Sequence, residues 1–90
     1  MTECKRFQVS GKVQGVFYRA SARKKAIQLG LKGWVRNTRS GDVELIACGD
    51  ESQLTDLEKW LHEGPRLADV SVVKSEASAL EDFKKFRIRF

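Results

Sequence analysis

Apolar and polar positions alternate over residues 5–10, with Phe7 and Val9 set against Arg6 and Gln8. A period of two predicts a strand. Over residues 19–29 the period lengthens. Ala22, Ala26 and Leu29 share one face, while Arg23, Lys24 and Lys25 lie in or near water, which predicts a helix. Gly30 is placed to end it. Residues 32–37 and 42–48 read as two strands, and the turn Thr38-Arg39-Ser40-Gly41 between them makes a hairpin. Asp50 followed by Gln53 resembles a capping box. It opens a second helix, in which Leu54, Leu57 and Leu61 form a stripe with Trp60 beside it, and Gly64-Pro65 closes that helix. Residues 68–76 carry a strand through Val70 and Val72. Residues 85–90 carry another, with Phe86, Ile88 and Phe90 alternating against Lys85, Arg87 and Arg89.

The order is β-α-β-β-α-β with an extra C-terminal strand. Its usual solution is an α+β architecture, the ferredoxin-like or split βαβ sandwich, with an antiparallel sheet and both helices on one face. Ninety residues leave room for one core, so residues 1–90 are expected to form one domain. No linker, repeat or low-complexity segment interrupts them. The fold alone decides no function.

Composition narrows the chemistry. Hydrophobic residues make up 41% and charged residues 32% of the chain, a globular balance rather than a disordered one. No apolar run approaches the roughly 20 residues of a membrane span. Met1 to Phe7 carries Glu3, Lys5 and Arg6 and has no apolar h-region, so a cytoplasmic location is expected. The formal net charge of +5 favours an anionic partner: nucleic acid, an acidic surface or a small anion. Two cysteines and one histidine are too few for a closed zinc site. CxxC, HExxH, P-loop and dinucleotide-binding signatures are all absent. Catalysis would have to rest on arginine, asparagine, hydroxyls and backbone amides.

The stretch Gly11-Lys12-Val13-Gln14-Gly15-Val16-Phe17-Tyr18-Arg19 joins the first strand to the first helix. A tight loop entering a helix converges unpaired N–H groups on one point, where the helix dipole adds positive potential. Gly15 allows close approach of a ligand, and Arg19 can add a bidentate fork to phosphate oxygens. Alone, the same loop reads rather as an ordinary turn with a solvated arginine. Asn37 ends the second strand. In a split βαβ the first and second strands are parallel, with the third between them, so Asn37 should face the loop that carries Arg19. An amide there can hold a water by donating and accepting. An asparagine chosen for turn geometry is the other reading.

Together these stretches resemble the acylphosphatase family. Gly11–Arg19 matches the pattern Gly-x-Val-Gln-Gly-Val-x-(Phe/Tyr)-Arg at every specified position. Gly33-Trp34-Val35-Arg36-Asn37, followed by Gly41, Val43 and Gly49, matches the second signature. The resemblance extends over the whole chain, and Phe17 falls on a variable position where it would tune the pocket rim. It implies hydrolysis of acyl phosphates to a carboxylate and inorganic phosphate, with no metal and no cofactor. It assigns phosphate binding to Gly15, Val16, Phe17, Tyr18 and Arg19, and catalysis to Arg19 and Asn37. The partners expected are a small acyl phosphate and inorganic phosphate, with no membrane, no nucleic acid and a monomeric protein.

If Phe7 faces Leu45 and Val9 faces Val43, Cys4 lies directly opposite Cys48 on the sheet face away from the helices. That register suits a disulfide. Two free thiols in a reducing compartment is the competing reading. His62 reads as a solvated helix-end residue, and Trp34 and Trp60 as core. An RNA-binding module is the second function class, using a basic sheet face of Arg6, Lys85, Arg87 and Arg89. The third strand lacks the aromatic residues on which such modules stack bases.

Overall fold

A computed structural model describes residues 2–90; Met1, counted in the expected domain and in the charged N-terminal stretch, lies outside the described residues. The element order is β1 (Glu3–Lys12), α1 (Tyr18–Gln28), β2 (Lys32–Asn37), β3 (Val43–Gly49), α2 (Glu51–Glu63), β4 (Asp69–Ser78) and β5 (Phe86–Arg89). This is the expected ferredoxin-like sandwich with its extra strand. The five strands form one sheet in the order β4-β1-β3-β2-β5.

Pairing moves the boundaries away from those that periodicity alone marks. β1 and β4 are each longer than the alternation indicates, because they pair with one another along almost their whole length. α1 begins one residue early, since Phe17 takes a left-handed conformation and acts as N-cap. It also ends early, with Leu29 as C-cap before Gly30. The sheet is antiparallel except at one edge, where β5 runs parallel to β2. That exception to the all-antiparallel expectation follows from β5 returning alongside β2 rather than through a hairpin. β1, β2 and β5 therefore point the same way and deliver their C-terminal ends to one edge.

One face of the sheet buries Phe7, Val9, Val35, Val43, Leu45, Ala47 and Phe86 against Ala22 and Ala26 of α1 and Leu54, Leu57 and Leu61 of α2. Alternation with a period of two selects this set from each strand. The capping box at Asp50 is formed, and the Asp50 N–H donates to Gln53 Oε1 at 2.8 Å. Among the described residues, no helix is long and apolar enough to cross a membrane.

The other face carries no helix and buries a second, smaller apolar cluster. Cys4 pairs with Cys48 across β1 and β3, and a disulfide joins them. Trp34 packs in this second cluster rather than between sheet and helices: side chains alternate along β2, Gly33 and Val35 face the helices, and Trp34 lies against Cys4, Ile46 and Cys48. The Arg36 and Arg89 guanidinium carbons lie 5.5 and 4.9 Å from its ring centre. Trp60 is half-buried and tilts against Tyr18. The expected basic face is partly neutralised. Buried Glu44 pairs with both Arg6 and Arg36, and Arg36 Nε donates to Glu44 Oε1 at 2.7 Å.

Candidate active site

The loop after β1 is shaped by which of its residues the core claims. Val13, Val16 and Tyr18 are buried, while Gly15 and Phe17 are exposed. Three apolar side chains anchor the loop from below and turn the intervening backbone outward. Gly15 has φ 75°, and nothing lies within 4 Å of where its Cβ would be. The outer side of the loop is thus open to a ligand. α1 begins with no side-chain cap and no acidic residue in its first turn, so its leading amides keep their capacity for an external acceptor.

Tyr18 fixes the start of α1. Its ring enters the core, and its hydroxyl donates to the Leu61 carbonyl at 2.7 Å near the end of α2. Burial pushes the phenol far above its ordinary value. A Cβ on Gly64 would meet Tyr18 Cε2 at 2.7 Å, so the glycine that ends α2 also makes room for this ring.

A second clasp ties the loop to the β2–β3 hairpin. Gln14 Nε2 donates to the carbonyl oxygens of Thr38 and Asp42, both at 2.8 Å. Gln8 Nε2 donates to Asp42 Oδ2 at 2.7 Å. These bonds hold the end of β2 beside the loop.

The result is an open cleft of about 300 Å³ lined by Gly15, Phe17, Tyr18, Arg19 and Asn37, with Val13, Ala20, Ile88 and Phe90 completing its wall. Arg19 is half-buried, and its guanidinium carbon lies 5.1 Å from the centre of the Phe90 ring. Asn37 is also half-buried. Its Oδ1 is the one buried side-chain polar atom among the described residues without a hydrogen-bond partner. A buried acceptor left unpaired costs about 1–3 kcal/mol, so such atoms mark places where a ligand or water is to be held.

Gly15, Phe17, Tyr18, Arg19 and Asn37 thus come together. Val16, expected among the phosphate-binding residues, does not line the cleft, and its side chain is buried in the core. Cys4 and Cys48 sit at the other end of β1, away from the cleft. Residues not singled out from the sequence are Gln14, whose side chain makes the clasp, and Ile88 and Phe90 of the β5 edge. The Phe86–Ile88–Phe90 alternation was the available signal, since the partner of β5 decides where its end lies. Among the described residues, no three His, Cys, Asp or Glu side chains cluster as metal ligands.

The comparisons with known proteins agree with one another. The family model described as Acylphosphatase matches residues 5–88. An acylphosphatase of Coxiella burnetii (strain RSA 493 / Nine Mile phase I) is 54% identical over 86 residues, which cover 96% of this chain and 90% of that protein. An acylphosphatase of Marinobacter nauticus is 54% identical over 80 residues, covering 88% of this chain and 87% of that one. The crystal structure of an acylphosphatase from Bacillus subtilis superposes with a TM-score of 0.95 at 32% identity, covering 100% of both chains.

Proposed function

The chain belongs to the acylphosphatase family, and from that premise we propose that residues 1–90 form a single catalytic domain hydrolysing acyl phosphates to a carboxylate and inorganic phosphate. The observation that carries the assignment of roles is the meeting of Arg19, the open loop and the unpartnered Asn37 Oδ1 in one cleft.

The phosphoryl group is held by the amides of residues 15–19 and by the Arg19 guanidinium. Phosphoryl transfer asks chiefly for positioning and for stabilisation of charge on the equatorial oxygens. Arg19 and the loop amides supply both without a metal or cofactor. Asn37 accepts a hydrogen bond from a water through Oδ1 and aims its oxygen at phosphorus, in line with the departing carboxylate. The water O–P bond forms as the carboxyl O–P bond breaks. The water's proton passes to a phosphate oxygen, and the carboxylate leaves as a weak base that needs no general acid. His62 is exposed at the far end of α2 and takes no part.

The reading extends to a monomeric protein of the cytoplasm that acts on small molecules rather than nucleic acid. The neutralisation of Arg6 and Arg36 by Glu44 and the family match both favour the enzyme over the RNA-binding module. The deciding experiment measures phosphate release from acetyl phosphate with a chelator present. Wild type is expected to turn over, and Arg19→Ala to lose both turnover and affinity for inorganic phosphate. Near-normal phosphate affinity in that variant would overturn the assignment of Arg19.

A further inference from the structure

A second recess lies outside the catalytic cleft, on the helix-free side of β2 and β5. It measures about 500 Å³ and is lined by Trp34, Phe83, Lys85, Arg87 and Arg89. That volume is within the range of small-molecule sites. Its floor is aromatic. Trp34 and Phe83 are half-buried and pack on the cluster of Cys4, Ile46 and Cys48. The segment that brings Phe83 is fastened to β2, because the Gly33 N–H donates to the Lys85 carbonyl at 3.0 Å.

Its walls are cationic. β5 sets Arg87 beside Trp34, and the alternation that buries Phe86 turns Arg87 and Arg89 to the face that holds Trp34. The Arg89 guanidinium carbon lies 4.9 Å from the centre of the indole ring, a contact that holds this cation in place. Elsewhere on this face charge is answered. Glu44 pairs with Arg6 and Arg36, and Asp82 pairs with Lys84 at 2.9 Å. Among the described residues, no salt bridge reaches Lys85, Arg87 or Arg89. Three cations gathered over two rings repel one another, and an anion relieves that repulsion. Charges on an edge strand also discourage pairing with another chain, but that role asks for no rings beneath them.

We propose that this recess is a second, non-catalytic site that binds a nucleoside phosphate, with the base on Trp34 and Phe83 and the phosphates on Lys85, Arg87 and Arg89. A bare anion leaves the rings uncovered, and a neutral aromatic leaves three cations unanswered; a nucleotide meets both needs. A second copy of this chain would bring the same cations to the contact. The inference stands apart from the hydrolytic reading, since neither Arg19 nor Asn37 lines the recess.

The test is calorimetric titration with ADP, with a chelator present and the catalytic cleft saturated by inorganic phosphate. Wild type and Arg19→Ala are expected to bind ADP alike, with a change in tryptophan fluorescence, and to bind adenosine at least about tenfold more weakly. Lys85 and Arg87 are exposed, so Lys85→Ala and Arg87→Ala are expected to fold. Each is expected to weaken ADP about tenfold, the scale of one charge-assisted hydrogen bond, and to keep its turnover of acetyl phosphate. Absence of ADP binding by wild type, its loss in Arg19→Ala, or equal affinity in wild type, Lys85→Ala and Arg87→Ala would overturn the site. A single-stranded oligonucleotide that binds far more tightly than ADP, and is weakened by the same two substitutions, would overturn the nucleotide in favour of nucleic acid.

Discussion

The side-chain amide of Gln14 lies 2.8 Å from the carbonyl oxygen of Asp42 and donates to it, while also donating to the Thr38 carbonyl at the same distance. One residue of the loop after β1 thereby spans to both strands' ends of the hairpin that presents Asn37. The loop and Asn37 belong to different elements, and this clasp sets the distance between them.

Gln14→Leu keeps the bulk and removes both bonds. Each is worth about 1 kcal/mol net, and the Asp42 carbonyl still accepts from the Thr38 N–H at 2.9 Å. The fold is expected to survive, while kcat for acetyl phosphate falls roughly tenfold because a small misplacement of reacting groups is costly. Steady-state kinetics beside a thermal melt test this. An unchanged kcat would show that the hairpin positions Asn37 without the clasp.

Asn37→Ala should separate function from stability. The Oδ1 atom makes no hydrogen bond to the rest of the protein, so its removal breaks none within the fold. The melting temperature is expected to hold. Turnover should fall by on the order of 10²–10³, the scale of losing one preorganised polar group, with inorganic phosphate still bound. Calorimetric titration with phosphate gives the binding arm. A fall in turnover accompanied by an equal loss of phosphate affinity would place Asn37 in binding rather than in orienting water.

The Cys4–Cys48 disulfide closes a stretch with a sequence separation of 44. Loop-closure reasoning gives roughly 4 kcal/mol for a loop of that size. Cys4 and Lys12 stand at opposite ends of β1, roughly 26 Å apart along an extended strand. Reduction is therefore expected to lower the denaturant midpoint and to leave kcat close to its oxidised value. Loss of kcat under conditions where the protein stays folded would reveal a coupling between the two ends of the sheet.

What the sequence disclosed follows the range of the interactions involved. The pairing of Cys4 with Cys48 was legible because strand alternation fixes register once the core face is known. The meeting of Asn37 with Arg19 was legible because the topology makes β1 and β2 parallel. The place of Phe90 was not, since it depends on β5 choosing β2 as its parallel neighbour, which no local pattern encodes. Trp34 read as core because it is large and apolar, but its size does not say which face of the sheet holds it. Yet β2 is short, and Gly33 holds the inward position before Val35, at a site where a Cβ would collide with the Ile46 carbonyl. The Gln14 clasp needed the actual approach of two loops, which spacing alone does not supply.

The Tyr18 phenol gives a pH dependence of known sign. Burial raises its pKa far above the ordinary value of 10.0, so the folded state holds this proton where the unfolded chain releases it. Its contribution to stability is fully present below pH 10. It declines as pH rises toward the folded-state value, because the unfolded state then binds fewer protons. Lysines titrate in the same range, so the useful quantity is the difference between wild type and Tyr18→Phe. The variant loses the hydrogen bond to the Leu61 carbonyl and should be destabilised by about 1 kcal/mol near neutral pH. That deficit is expected to shrink above pH 10 and to change sign under more alkaline conditions, where wild type must keep a buried phenol protonated and the variant has none. Denaturant midpoints measured for both proteins between pH 7 and 11.5 would show it. Parallel curves across that range would mean that Tyr18 reaches solvent readily enough to ionise in place.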